Sequence, residues 1–238
     1  MNTVASLEHA LSYVETQIAP WKRHEHPRTP PTVTLSRMAG SGGIAVAEHL
    51  ARFLQKHRPG NRAPWTVFHR SLVEKALAEH NLPATLVRYM PEDRVSYIRD
   101  TMEELLGLHP SSTTLDKQVA ETTLGLAQLG NCILVGRGAH LILASLPTAF
   151  HLRLVGSPGK RAQRIADLRQ LDLAAAHDYI QKEDAARRRH LKSHFDADID
   201  DPLAYHLVLN TDTFSVEEAA EILGHAVLRR FPDSPAAA

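Results

Sequence analysis

The sequence predicts an α/β protein in which a five-stranded parallel sheet is wrapped by helices. Short apolar runs alternate with longer amphipathic segments along most of the chain, and this alternation is typical of strands joined by crossover helices. A cluster of glycines follows the first apolar run and leads into a helical pattern. The length of 238 residues allows one sizeable core.

Five short apolar runs are the predicted strands. They are residues 32–36, 65–68, 132–136, 149–155 and 205–210. Apolar residues spaced for a helical face fill the chain before and between these runs. The predicted helices are residues 3–20, 43–57, 70–80, 91–107, 113–129, 158–170, 173–192 and 215–230.

The segment before the first strand is predicted to be separate from the main domain. Residues 1–31 combine one helix with a linker rich in proline and charge, and adjacent prolines suppress helix formation. We expect this helix to pack on the outside of the core or on a partner chain, so that deletion of residues 1–28 would leave a folded core. Residues 32–230 then form the main domain, and residues 231–238 form a disordered tail.

Composition limits the partners that the protein can have. The 27 Lys and Arg residues balance 27 Asp and Glu residues, so no overall field attracts nucleic acid or a membrane surface. No apolar run reaches the ~20 residues of a membrane span, and the first residues lack the pattern of a secretion signal. We therefore expect a cytoplasmic protein with no nucleic-acid and no membrane partner.

Histidine and cysteine do not predict a metal centre. The 15 histidines are scattered, without the spacing of a metal-binding motif. The single cysteine, Cys132, lies in an apolar run, where a free thiol acts as a small core residue.

The turn Gly40-Ser41-Gly42-Gly43 lies between the first predicted strand and the helix that follows it. Glycines at such a turn let backbone N–H groups converge on an anion at a helix N-terminus. A phosphate loop of the G-x-x-x-x-G-K-[ST] type ends in lysine and a hydroxyl residue, whereas here these positions hold Gly43 and Ile44. Three interpretations follow: a phosphate loop without its lysine, a dinucleotide fingerprint, or only a tight turn.

Several arginines follow the predicted strands at the edge where ligands of parallel sheets collect. Arg37 ends the first strand, and Arg137 follows the third. Arg161 and Arg164 lie on the helix after the fourth strand. Cations from several directions suit a polyphosphate, because phosphoryl transfer depends on positioning and on neutralising spread charge.

The helix at 173–192 carries the densest charge of the chain, in QKEDAARRRHLK. One interpretation is a solvated face with pairs such as Glu183 and Arg187 four residues apart. The other is a mobile helix whose arginines close over a ligand and exclude water.

A dinucleotide site is also compatible with the turn, because Gly40, Gly42 and Ala45 match the G-x-G-x-x-G/A pattern. That motif requires an acidic residue roughly 20 positions further on, at the end of the second strand. The second predicted strand instead ends in Phe68, His69 and Arg70. A dinucleotide-binding Rossmann protein is therefore the third choice.

An ordered set of short motifs runs along the main domain. They are Ser36-Arg37, Gly40-Ser41-Gly42-Gly43 with Ala45, VGRGA at 135–139, SPGKRAQRI at 157–165, DAAR at 184–187, DP at 201–202 and YHLVLNTD at 205–212. In this order and spacing, over roughly residues 32–225, the chain resembles the cytidylate kinase-like family, whose members are P-loop proteins related to bacterial nucleoside monophosphate kinases.

The resemblance implies a three-layer P-loop nucleotide kinase fold with a helical lid at about residues 173–197. It implies transfer of the γ-phosphoryl group of ATP, with Mg²⁺, to a nucleoside monophosphate acceptor such as CMP. The residues that would hold ATP are Arg37, Gly40, Ser41, Gly42 and Gly43, and Arg137 would hold the acceptor phosphate. The catalytic set would be Arg161, Arg164, Asp184 and Arg187.

Three departures from the family pattern bear on activity. Met38-Ala39 replaces the Glu-aromatic pair that is common before the glycines, Ile44 replaces a polar residue, and His69-Arg70 replaces an aspartate. Ile44 cannot bind magnesium through a hydroxyl. A non-catalytic nucleotide-binding regulatory module is therefore the alternative function.

Glycine is usual at position 43 in this family, and the resemblance therefore makes the missing lysine unexceptional. We expect Gly43→Lys to be tolerated, because it adds a cation where related loops keep one. We expect Gly42→Val to abolish nucleotide binding and to cost more than any side-chain change in the loop, because the backbone must approach the phosphates closely.

Overall fold

The computed structural model describes residues 3–22, 29–58, 64–69, 90, 92–108 and 114–232. Within them, five strands form one parallel sheet: β1 (Thr32–Arg37), β2 (Thr66–His69), β3 (Cys132–Val135), β4 (Ala149–Val155) and β5 (Leu207–Asn210). Their order is β2-β3-β1-β4-β5. The central strand β1 pairs through Thr34 with Leu134 of β3 and with His151 of β4.

The helices in the described residues are α1 (Thr3–Lys22), α2 (Gly43–His57), α3 (Glu92–Leu108), α4 (Thr114–Leu129), α5 (Ala139–Ile142), α6 (Pro158–Arg169), α7 (Leu173–Phe195) and α8 (Val216–Arg230). A 3₁₀ turn covers Pro202–Ala204. The predicted strands and helices agree with these bounds to within three residues, and the short α5 was not predicted. The helix predicted at 70–80 lies outside the described residues. Among the described helices, none is long and apolar enough to cross a membrane.

One face of the sheet is covered by α2 and α8. The buried apolar residues of α2 recur at intervals of three and four positions, at Val46, Ala47, Leu50, Ala51 and Leu54. This spacing places them on one side of the helix. They pack in one cluster with Val33 and Leu35 of β1 and with Leu223 of α8.

The opposite face of the sheet is covered by residues of α1, α3, α4 and α5. Leu124 of α4, Ile142 of α5 and Phe68 of β2 belong to this second apolar cluster. Cys132 is fully buried in it, and burial raises the pKa of its thiol to about 12. The prediction of a core cysteine is confirmed.

The N-terminal helix α1 is part of this core, which contradicts the expectation that it packs outside. Tyr13 is 1% exposed and Ile18 is 1% exposed, and both contact the same apolar cluster. The Tyr13 hydroxyl donates to the carbonyl oxygen of Gly130, and the Gln17 amide donates to the same oxygen at 3.2 Å. The helical pattern predicted α1 itself, whereas its packing depends on residues more than 100 positions away.

The order of the strands also contradicts the dinucleotide interpretation. In the doubly wound dinucleotide fold, the first strand lies beside the second and the fourth. Here β1 lies between β3 and β4, and β2 pairs with β3. All five strands are parallel, so their carboxyl ends meet at one edge of the sheet.

Candidate functional site

The loop that joins β1 to α2, residues 38–42, contains two glycines in the left-handed conformation. Gly40 has a φ of 77° and Gly42 a φ of 81°. A Cβ atom on Gly40 would lie 2.4 Å from the carbonyl oxygen of Arg161, whereas one on Gly42 would lie 3.9 Å from the nearest atom, in Val46. Position 40 therefore excludes a side chain through conformation and space, and position 42 through conformation alone.

The start of α2 offers backbone donors beside this loop. Among the described residues, the N–H groups of Gly42, Gly43 and Ile44 have no hydrogen-bond partner. The first turn of an α-helix leaves such donors unpaired, and the helix dipole adds positive charge next to them. The predicted cofactor-binding glycines thus come together with Ser41 at a place that suits a phosphate group.

The peptide groups of Ala39 are held on both sides. The N–H of Ala39 donates to Asp184 Oδ1 of α7 at 2.7 Å, and its carbonyl oxygen accepts from Arg161 Nη1 of α6 at 2.9 Å. Arg161 Nη1 also donates to Asp184 Oδ2 at 2.6 Å. Arg161 and Asp184 are both buried, so this ion pair is shielded from water and fixes the loop against the two helices.

Arg161 and Arg164 connect the glycine loop to the ends of the last two strands. Arg161 Nε donates to the carbonyl oxygen of Gly156, which follows β4, at 2.8 Å. Arg164 donates to the carbonyl and hydroxyl oxygens of Thr211, which follows β5. The Thr211 hydroxyl in turn donates to the carbonyl oxygen of Ser41 at 3.2 Å. Both predicted catalytic arginines therefore bind protein atoms here.

A cavity of about 250 Å³ opens between the carboxyl ends of β1 and β3 and the helix α7, and it reaches Arg37, the residue before the loop. Among the described residues, its charged lining is made of three arginines and one glutamate: Arg37, Arg137, Arg187 and Glu183. The site therefore has an excess of positive charge. An anion is the ligand that such a lining favours.

Two of these arginines lie close together. Arg187 Nη1 donates to the backbone carbonyl oxygen of Arg37 at 3.3 Å, and Arg187 Nη2 donates to Glu183 at 3.1 Å. Burial lowers the pKa of Arg37 to about 10, and the charge of Arg187 contributes to this lowering. Arg37 is still cationic at neutral pH, but its charge is disfavoured until an anion approaches.

Arg137 is held in an unusual backbone conformation at the wall of the cavity. It has a φ of 57° and lies between Gly136, with a φ of 86°, and Gly138, with a φ of 66°. Three successive left-handed residues form a sharp turn after β3, and a residue other than glycine is strained there. The turn places Arg137 among the residues that line the cavity, as the prediction of an acceptor-phosphate ligand requires.

A second polar network, which the sequence analysis did not include, anchors the segment after α7. Arg153 in the middle of β4 donates to Ser36 Oγ at 2.8 Å and to Asp200 Oδ1 at 2.5 Å. Arg188 of α7 donates to Asp200 Oδ2 at 2.8 Å. Burial would raise the pKa of Asp200, but the hydrogen bond from Arg188 and the charge of Arg153 outweigh it, and the pKa is lowered.

The sequence carries one signal for this network, namely Arg153 within the mostly apolar strand β4. Arg153 is 3% exposed, and a buried charge requires a partner. The sequence did not identify the partner, because Asp200 lies 47 positions away. Asp200 holds the segment after α7 on β4, and the bond from Ala39 to Asp184 holds α7 on the glycine loop. The role of this segment as a lid stays a prediction.

The fold and the site together define an α/β protein with a glycine-rich anion loop at the carboxyl edge of a parallel sheet. The chain belongs to the cytidylate kinase-like family, whose family model matches residues 32–213. The resemblance predicted from the ordered motifs is confirmed. The chain is also similar to a cytidylate kinase from Methanospirillum hungatei, with 25% identity over 196 residues that cover 82% of this chain and 95% of the relative.

Two solved structures align with most of this chain. An uncharacterized protein from Eubacterium ventriosum superimposes with a TM-score of 0.53 at 15% identity, over 84% of this chain and 98% of that one. A shikimate kinase from Bacteroides thetaiotaomicron reaches a TM-score of 0.45 at 12% identity, over 83% and 98% of the two chains, which is too low to support a shared fold by itself. The predicted α/β class with a five-stranded parallel sheet is confirmed.

Proposed function

We propose that the protein transfers the γ-phosphoryl group of ATP to a nucleoside monophosphate, with CMP as the acceptor. Family membership supports a nucleotide kinase in general. The observation that carries the proposal is Arg37, which lines a cavity together with Arg137 and Arg187 and whose stem contacts Gly43 at the start of α2. Backbone donors on one side and guanidinium groups on the other are what a phosphoryl group in transfer requires.

In this proposal the donor phosphates lie against the N–H groups of Gly42, Gly43 and Ile44, whereas the Ser41 N–H donates to the carbonyl oxygen of Met38 at 3.3 Å. The acceptor phosphate lies at Arg137, so that one of its oxygens attacks the γ-phosphorus while the bond to the bridging β-oxygen breaks and ADP leaves. Arg187 neutralises charge on the transferring group from α7. The helix also excludes water, which would otherwise compete with the acceptor.

Asp184, Arg161 and Arg164 take a positioning role in this proposal. The first two hold both peptide groups of Ala39, and Arg164 holds Thr211 against the loop. Their own polar atoms are engaged with protein groups. Their effect on transfer therefore passes through the geometry of the loop.

The described residues do not identify a protein ligand for magnesium at the loop, where the ion would be held mainly by nucleotide phosphates and water. Ile44 has no oxygen at the position where phosphate loops place a hydroxyl ligand. In the described part of the chain, no group of three His, Cys, Asp or Glu side chains could hold a metal ion. We therefore assign no residue to Mg²⁺ and derive no step through it.

A coupled assay of ADP formation tests the proposal. Purified protein with ATP and Mg²⁺ is given CMP, UMP, AMP or GMP in turn, and ADP is expected to form fastest with CMP. The matched variant is Arg137→Met, which is expected to raise the KM for CMP and to leave the affinity for ATP unchanged. ADP formation at the rate of a no-enzyme control with every acceptor would contradict the proposal.

The alternative is a regulatory module that binds a nucleotide without turnover. Ile44 at the loop and the engaged Arg161 and Asp184 are the observations that favour it. Calorimetry separates the two functions, because the alternative requires tight ATP binding together with no turnover of any monophosphate. Binding and turnover are measured on the same preparation, so an inactive sample is recognised.

A further inference from the structure

We infer that Arg37 supplies, from the end of β1, the cation that a phosphate loop ordinarily carries as a lysine on the following helix. In the pattern G-x-x-x-x-G-K-[ST], with Gly42 as the second glycine, the first glycine falls at position 37 and the lysine at position 43. This chain has Arg37 and Gly43 there, so cation and glycine are exchanged relative to the pattern. The inference rests on the proposed binding of ATP at this loop.

The two exchanged positions are in contact. A Cβ atom on Gly43 would lie 2.7 Å from Cγ and 3.1 Å from Cβ of Arg37. The stem of Arg37 therefore fills the space in which a side chain at position 43 would begin. Gly43 is outside the left-handed region, so its backbone would accept another residue, and only this contact excludes one.

The other end of Arg37 lies over a third glycine. A Cβ atom on Gly136, at the end of β3, would lie 2.3 Å from Nη1 of Arg37. The guanidinium group thus crosses from β1 to the end of β3 and lines the cavity. Because positions 43 and 136 are glycines, no side chain there overlaps Arg37.

Glu183 and Asp184 lie close enough to raise the pKa of Arg37 against the lowering by burial, but neither forms a direct ion pair with it in the described part of the chain. Among the described residues, no ion pair or hydrogen bond joins its guanidinium group to an acidic side chain. The nearby acids are engaged elsewhere: Glu183 pairs with Arg187 at 3.1 Å, and Asp184 pairs with Arg161 at 2.6 Å. A cation whose stem contacts Gly43 at the start of α2 and whose charged end lines the cavity fits the terminal phosphates of a nucleoside triphosphate.

The contact overturns the expectation that Gly43→Lys is tolerated. The new side chain would meet the near end of Arg37, which has little room to move because the guanidinium lies against Gly136. Overpacking of this kind destabilises a protein. The same contact predicts that a lysine becomes acceptable at position 43 when Arg37 is removed, which gives a direct test.

The test uses the full-length chain and four variants: Arg37→Gly, Gly43→Lys, the double variant Arg37→Gly/Gly43→Lys, and the uncharged control Arg37→Gly/Gly43→Met. ATP affinity is measured by calorimetry in the absence of acceptor, and Tm is measured by circular dichroism. Arg37→Gly is expected to weaken ATP binding roughly 10- to 100-fold, as for the loss of a charged hydrogen bond. Gly43→Lys is expected to lower Tm.

The double variant with lysine is expected to recover both Tm and ATP affinity to within a few-fold of the parent. The methionine control is expected to recover Tm but not ATP affinity, because it fills the space without a charge. Unchanged or tighter ATP binding in Arg37→Gly would overturn the inference, as would equal recovery of affinity with methionine and lysine. A parent chain that binds no ATP would refute the proposed function and the inference with it.

Discussion

The N–H group of Ala39 donates to Asp184 at 2.7 Å, although the two residues are 145 positions apart in the chain. Asp184 is on α7, and Ala39 begins the turn that precedes the two left-handed glycines. The helix α7, which comes late in the sequence, thus helps to fix the backbone conformation of the glycine loop. Asp184 also pairs with buried Arg161, so one carboxylate joins three parts of the site.

Asp184→Ala is expected to destabilise the protein by about 3–5 kcal/mol, because it leaves Arg161 buried without its partner. Asp184→Asn should cost less, since an amide oxygen still accepts from the Ala39 N–H. Urea unfolding measures both, with Glu183→Gln as the control, because its side chain is 42% exposed and exposed pairs contribute about 0.2–1 kcal/mol. Equal stability of Asp184→Ala and the control would refute this role.

Gly40→Ala is expected to destabilise the protein more than Gly42→Ala; the expected loss of nucleotide binding in Gly42→Val stays a separate prediction. Both substitutions force alanine into the left-handed region, at roughly 1–2 kcal/mol. Only Gly40 would also bring a Cβ to 2.4 Å from the Arg161 carbonyl oxygen. Gly159→Ala is the control, because no atom lies within 4 Å of a Cβ there. Thermal unfolding of the three variants gives the order.

Removal of residues 1–28 is expected to expose the core and to produce a protein that binds a hydrophobic dye. Tyr13 and Ile18 are buried, and this burial argues against the expectation of an independent core after the deletion. Tyr13→Phe provides a milder test. It removes the hydrogen bond to Gly130 and should cost about 1 kcal/mol in the free energy of unfolding. A truncated chain that unfolds cooperatively at the parent Tm would contradict this prediction.

The protein is expected to lose stability between about pH 6.5 and pH 4 through buried histidines. Burial, and then the charge of His206, lowers the pKa of His151 to about 4, and burial, with the charges of His151 and Arg153, lowers that of His140 to about 3. The unfolded chain therefore takes up these protons at a higher pH than the folded one. Stability is full above pH 6.5 and falls as the pH decreases.

His151→Gln isolates one part of this effect. Its ring contacts Thr34 Oγ1 at 2.9 Å and stacks on His206 at a centroid distance of 4.8 Å. The parent should lose about 3 kcal/mol more than this variant between pH 7 and pH 4. Guanidinium unfolding across this range measures the difference, and parallel curves for parent and variant would exclude His151 as the cause.

Trypsin tests whether α7 and the following residues act as a lid. Cleavage at Arg187, Arg188 and Arg189 should be fast in the free protein and slow with ATP and CMP, because closure protects the helix. Asp200→Asn should increase cleavage without ligand, since Arg153 and Arg188 both hold that carboxylate. Equal cleavage rates with and without nucleotides would count against a lid.

Local patterns were enough to predict most of the fold. The strand β4 was predicted with the observed bounds, and α2 likewise, because a buried strand and an amphipathic helix leave clear periodic signals. The short helix α5 has four residues and too few positions for a period. The packing of α1 was missed, since the sequence carries no mark of which surface covers an apolar face.

The site was predicted as a set of residues but not as an arrangement. Arg37, Arg137 and Arg187 do line one cavity. The engagement of Arg161 with Asp184 depends on how α6 and α7 pack, and no spacing in the sequence encodes that distance. The contact between Arg37 and Gly43 was missed for the same reason, although the two residues are only six positions apart.

The left-handed conformation of Arg137 lowers the stability of the fold, but it keeps a guanidinium group in the cavity. A glycine at this position would relieve backbone strain of about 1–2 kcal/mol, but it would remove a guanidinium from the cavity. Variants selected only for survival at high temperature would accept that glycine, and variants selected for turnover would reject it. Under the two kinds of selection, laboratory evolution would therefore give different residues at position 137, where the backbone φ is 57°.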